Sequence, residues 1–164
     1  MDFSADIVFV IDESWHVGSS TNFETLKSFL VQLVSNLDIN SGKTRVGLVA
    51  YSIEVKTTFN LNAYSTLTSL QSAISSMEQT SGVAADPAVA LDYVRTTLLT
   101  EAAGDRDNVQ NIVVVINHGV SDDFSTTVVS IGFIVLFIAQ CLLAVRWSGC
   151  HDPILCQNHC DLSC

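Results

Sequence analysis

Two kinds of apolar pattern take turns along the first 123 residues. The run "ADIVFVID" (5–12) is almost continuously apolar and of strand length, the pattern of a strand covered on both faces. A polar turn, "VGSST", follows. Phe23, Leu26, Leu30, Leu33, Val34 and Leu37 then recur at helical spacing, with Thr21 and Glu24 spaced as a capping box. "NSGK" breaks this helix, and "TRVGLVAYS" with "IEVKTTFNL" predicts an antiparallel pair set against a parallel sheet. A short amphipathic helix carries Leu67, Leu70, Ile74 and Met77. Asp86 and Pro87 are placed as cap and first residue of a third helix, whose inner stripe is Ala90, Tyr93, Val94 and Leu98. "AAGDRDNVQ" reads as a solvated loop and "NIVVVI" as another buried strand.

Strands alternating with helices predict an α/β fold: a doubly wound, mainly parallel sheet with helices on both faces, Rossmann-like in plan. Functional sites in such sheets gather at the carboxyl ends of the strands. Asp12 to His16 and Asn117 to Asp123 both fall there.

Composition narrows the range of partners. A chain of 164 residues fits one domain of ordinary size. Only seven Lys and Arg stand against seventeen Asp and Glu, a formal charge of −10. That excludes a nucleic-acid partner, which needs cations to displace counterions from phosphate. An acidic surface suits divalent cations or basic partners instead. The opening "MDFSADIVFVIDES" has no basic segment ahead of its apolar run, so no secretory signal is visible. That pattern fits a cytosolic chain, or a fragment whose true start is missing.

The blocks D-x-S at 12–14, "RVGLVAYS.EV...F.L", "ALDYVR" and "NIVVVI..G.SDD", in that order, resemble the von Willebrand factor type A domain. This family includes integrin inserted domains, matrilins and the globular parts of collagen VI, and the match covers roughly residues 5 to 123. The resemblance implies a metal ion-dependent adhesion site on the top face. There D-x-S-x-S, a Thr and the Asp of a "TDG" turn hold Mg²⁺ or Mn²⁺, and a partner's carboxylate completes the shell. Hard oxygen ligands with open positions suit such ions.

Carried over by position, that ligand set is degenerate. Asp12 and Ser14 match the first two ligands; His16 stands at the second serine, Ala85 at the threonine, and His118 at the "TDG" aspartate, with Gly119 keeping the turn. Three of five ligands are replaced, two of them by imidazole. The expectation is no cofactor, or at most a weakly held divalent cation: Mg, Mn or Zn. Asp12, His16 and His118 together would form one carboxylate and two imidazoles, a Zn-type set, as the minor alternative to plain loss of the site.

Among neighbouring residues, Trp15 and Asp122 are partner-binding candidates, the first as an aromatic anchor. The competing readings are a rim residue that packs partly for Trp15, and loop capping for Asp122 and Asp123. Asp6 and Asp92 flank apolar stripes and read as solvated or capping groups. Ser14 has no supporting base nearby, and G-x-S-x-G is not present around it, so no enzyme is expected.

The remainder divides the chain into a core at 1–123, an apolar segment at 124–147 and a Cys-rich tail at 148–164. "SIGFIVLFIA" resembles the family's fifth strand, after which the resemblance stops, so the domain is expected to be incomplete at its C-terminus. The competing reading is a transmembrane helix, because no charge falls between Phe124 and Val145. All five cysteines lie in the last 24 residues, at spacings that match no standard zinc finger. The expected function is a non-enzymatic adhesion module of an extracellular matrix or cell-surface protein, binding collagen or another matrix protein largely without Mg²⁺. The alternative is a structural or truncated metal-dead domain, with a membrane anchor at 124–145.

Overall fold

The computed structural model describes residues 4–14, 17, 20–52, 54–80, 82, 87–117 and 134–139. They form one five-stranded sheet in the order β3-β2-β1-β4-β5. The strands are β1 (Ala5–Asp12), β2 (Thr44–Tyr51), β3 (Val55–Phe59), β4 (Gln110–Asn117) and β5 (Ile134–Ala139). β1 lies at the centre, parallel to both β2 and β4, and β4 is parallel to β5. Only β3 is antiparallel, paired with β2 through a short connection, as the two adjoining β-rich runs predict.

Helices cover both faces. α1 (Ser20–Val34) and α2 (Leu67–Ser75) pack on one; α3 (Pro87–Tyr93), continued by a π-helical turn at Val94–Leu98, packs on the other. Side-chain alternation along β1 sorts the two cores. Ile7, Phe9 and Ile11 meet Phe23, Leu26, Leu30, Leu70 and Ile74; Val8 and Val10 meet Ala90, Leu91, Val94 and Leu98. With all eight residues of β1 buried, the strand has no solvent face.

Several expectations are corrected here. Thr21 does not cap α1: the helix already includes Ser20, the Thr21 carbonyl accepts from Thr25 Oγ1, and Glu24 pairs with Lys27 at 2.8 Å instead of reaching back. The inner stripe of the third helix is present, but its second half winds as a π-helix, for which the spacing carries no signal. In the apolar segment, where "SIGFIVLFIA" predicts the fifth strand and a transmembrane helix is the competing reading, strand β5 is what forms, pairing from Ile134 to Ala139 with Ile112 to Asn117. A parallel ladder satisfies the backbone groups that a helix would have bonded internally. Among the described residues no helix is long and apolar enough to cross a membrane; the rest of 124–145, and the Cys-rich tail, lie outside them.

The largest correction concerns Asp6. It is neither solvated nor a cap but fully buried, on the α3 face at the lower end of β1. Arg106, from the supposedly solvated loop, binds it with Nη2 at 2.6 Å from Oδ1 and Nε at 3.0 Å, while the Arg106 backbone N–H donates to Oδ2 at 3.0 Å. The same guanidinium donates to the carbonyls of Ala5, Gly42 and Lys43. One side chain therefore ties the loop before β4 to the starts of β1 and β2. The loop reaches this position through Gly104, whose φ of +97° and approach to Asn62, 2.7 Å from where a Cβ would stand, exclude any side chain. Asp92, by contrast, is exposed as expected and pairs with Arg95 one turn on.

Removing one partner of a buried, multiply bonded pair leaves an uncompensated charge, a loss of roughly 3–5 kcal/mol. Arg106→Ala is therefore expected to lower the unfolding free energy measured by urea denaturation by that order. The exposed pair offers a control: Arg95→Ala should change stability by no more than about 0.5 kcal/mol.

Candidate functional site

At the carboxyl end of β1 the chain leaves the sheet through Glu13 and Ser14, and three consecutive polar residues are buried there. Asp12 and Glu13 are each 2% exposed and Ser14 is 0% exposed. Polar groups persist in such a place only when they are bonded or held for a ligand. The Asp12 carboxylate accepts the Ser14 backbone N–H at 2.8 Å, a turn closed by the residue's own neighbour. Below it, the Glu13 N–H donates to the Tyr51 carbonyl at 3.0 Å, carrying the β1–β2 ladder one step past the strand. The Ser14 carbonyl accepts from the Val17 N–H at 3.1 Å and from Gln79 Nε2 at 3.2 Å. The Glu13 N–H and both backbone groups of Ser14 are thus bonded.

The Ser14 hydroxyl differs. Among the described residues its buried oxygen has no hydrogen-bond partner. Leaving such a group unmatched costs about 1–3 kcal/mol. A hydroxyl and a carboxylate oxygen brought together at a strand end are donors of the kind a hard cation takes.

Glu13 was not singled out by sequence reasoning. Alternation turns it to the face opposite Asp12, where its carboxylate, 3% exposed, meets Lys56 Nζ at 2.8 Å. Lys56 belongs to β3, in register with Ala50, and its ammonium also donates to Thr80 Oγ1 at 2.8 Å. The available signal was positional: a charge directly after a buried strand needs a counter-charge, and "VKTTF" offers a cation on the neighbouring hairpin.

Of the residues that the sequence nominates, the structure brings Asp12 and Ser14 together. Trp15, His16, Ala85, His118, Asp122 and Asp123 lie outside the described residues. Among those described, no group of three or more His, Cys, Asp or Glu is placed to hold a metal ion.

Comparison with known proteins matches this arrangement at three levels. The family model for the von Willebrand factor type A domain matches residues 6–131. The collagen alpha-4(VI) chain of Mus musculus is 37% identical over 121 residues, covering 73% of this chain and 5% of that one. Integrin alpha-1 of Gallus gallus is 36% identical over 118 residues, covering 72% and 40%. Among solved structures, proximal thread matrix protein 1 from the mussel byssus, with a zinc-occupied MIDAS motif, superposes with a TM-score of 0.70 at 26% identity, covering 77% of this chain and 34% of that one. The chain thus spans well under half the length of these relatives.

The unmatched hydroxyl yields a test. Ser14→Ala removes an unsatisfied buried oxygen, so the variant is expected to gain about 1 kcal/mol in chemical denaturation. A loss of stability would mean that a partner already holds the hydroxyl in the free protein.

Proposed function

Because the chain belongs to the von Willebrand factor type A family, we propose that it is a non-enzymatic adhesion module of an extracellular matrix or cell-surface protein. Its top face, around Asp12 and Ser14, engages a protein partner. The observation that carries this reading is the strand end itself: the buried Asp12 carboxylate, and two residues on a buried hydroxyl with no partner among the described residues, at the carboxyl end of the sheet where α/β folds bind ligands. Collagen VI and integrin relatives support a matrix protein, with collagen as the first partner to test.

Mg²⁺ fits this site poorly. Asp12 and Ser14 supply two oxygen donors, but His16, Ala85 and His118 stand where the family pattern has three more, and imidazole and methyl groups are not hard ligands. Partner binding on this reading rests on side chains, with Trp15 as the aromatic anchor and Asp122 as a polar contact. The full chain should be captured by immobilised fibrillar collagen equally in Mg²⁺ and in EDTA, and Trp15→Ala should weaken capture at least tenfold. Capture abolished by EDTA would restore a metal-dependent site; absence of capture from collagen would remove this partner.

A second reading is favoured by one comparison. The byssus protein's structure carries zinc in its MIDAS motif, and this sequence offers His16 and His118 at two of the family's ligand positions. Asp12 with these imidazoles would take Zn²⁺ in preference to Mg²⁺. Isothermal titration at neutral pH should then show one Zn²⁺ site that His16→Ala abolishes; a flat titration of the parent chain disposes of it.

A further inference from the structure

The geometry points to Lys56 as a positioning residue for this site, an assignment that rests on the top-face reading above. Lys56 acts through its ion-pair partner Glu13. Three separate segments meet at its ammonium. It extends from β3 and donates both to the buried Glu13 carboxylate at 2.8 Å and to Thr80 Oγ1 at 2.8 Å, in the segment after α2. Gln79, the residue before Thr80, holds the Ser14 carbonyl at 3.2 Å. The loop that carries Ser14 is therefore braced twice from the α2 side, once directly by Gln79 and once through Glu13, Lys56 and Thr80.

The charge arrangement shows why the brace is ionic. Glu13 is buried while Lys56 is 51% exposed at its side chain. A carboxylate so enclosed needs a counter-charge, and one supplied from a half-exposed edge strand keeps its own solvation while neutralising the loop. Without Lys56, Glu13 would be driven outward to reach water. Ser14, its immediate neighbour, would move with it, and the hydroxyl would leave its place beside Asp12.

A counter-charge that merely made Glu13 tolerable would be dispensable once Glu13 is neutral, whereas a brace would not. Three variants of the full chain separate these roles: Lys56→Met, Lys56→Arg and the double Glu13→Gln/Lys56→Met. Amide hydrogen exchange is read at Glu13 and Ser14, with the interior amides of β1 as control, and capture by immobilised fibrillar collagen is read in parallel. The positioning role predicts that exchange at Glu13 and Ser14 rises at least tenfold in Lys56→Met and stays raised in the double variant, while the β1 interior is unchanged and Lys56→Arg behaves as the parent chain. Wild-type exchange in the double variant overturns it, as does a rise spread evenly through β1. Collagen capture falling in step with exchange extends the role to binding. Raised exchange in variants of a chain that captures no collagen keeps the brace and rejects the collagen-binding reading instead.

Discussion

A strand with no solvent face constrains everything around it. β1 is buried along all eight residues, between β2 and β4 and under helices on both sides. Its interior can hold only apolar side chains, and Ile7 to Ile11 are all apolar. Polar groups are confined to its two ends, where burial favours those that find hydrogen-bond or ionic partners. Arg106 at the lower end and Lys56 near the upper one are such partners, separated from β1 by 100 residues in one case and supplied by the edge hairpin in the other.

The two ends resolve the constraint differently. At the lower end Asp6 is saturated: a guanidinium and a backbone N–H occupy both carboxylate oxygens, and the same guanidinium gathers three carbonyls from two further segments. A buried pair of this kind gives little net stability over an apolar substitute, yet it strongly penalises any arrangement that separates its members. It thereby fixes where β1, β2 and β4 begin relative to one another. At the upper end Glu13 is matched, but the Ser14 hydroxyl is not. The same strand thus has one end saturated by its own chain and, past the other, a buried hydroxyl with no partner among the described residues, at the carboxyl end where α/β sheets generally bind ligands.

The sequence made the apolar half of this legible and hid most of the polar half. Period and run length located β1, α1, the antiparallel hairpin, α2, α3 and β4, because burial on one or both faces writes itself into local spacing. The two-turn transition from α to π at Val94 was not legible, since buried residues at Val94 and Leu98 satisfy either winding. Asp6 was misread because the sequence around it shows a charge at the margin of an apolar stripe, and its partner Arg106 stands in a loop rich in Gly and Asp that looks solvated. Glu13 and Lys56 were missed for the same reason: an ion pair across a hairpin and a strand end has no local signature. Asp12 and Ser14 were found only because an ordered set of motifs pointed to them.

An unmatched hydroxyl in a buried turn is informative because the alternatives were chemically easy. Alanine fits the Ser14 position without the cost of about 1–3 kcal/mol that an unsatisfied oxygen carries, and the backbone bonds of the turn would survive it, since the Ser14 N–H and carbonyl are the groups that Asp12, Val17 and Gln79 bind. The hydroxyl therefore contributes nothing to the architecture that its backbone does not already supply. Among the described residues nothing bonds it, which leaves that role to a water or to a group outside those residues. On the proposed reading, the contacts of Gln79 with the Ser14 carbonyl and of Lys56 with Glu13 would hold this loop in place before a partner binds, which reduces the ordering cost of association.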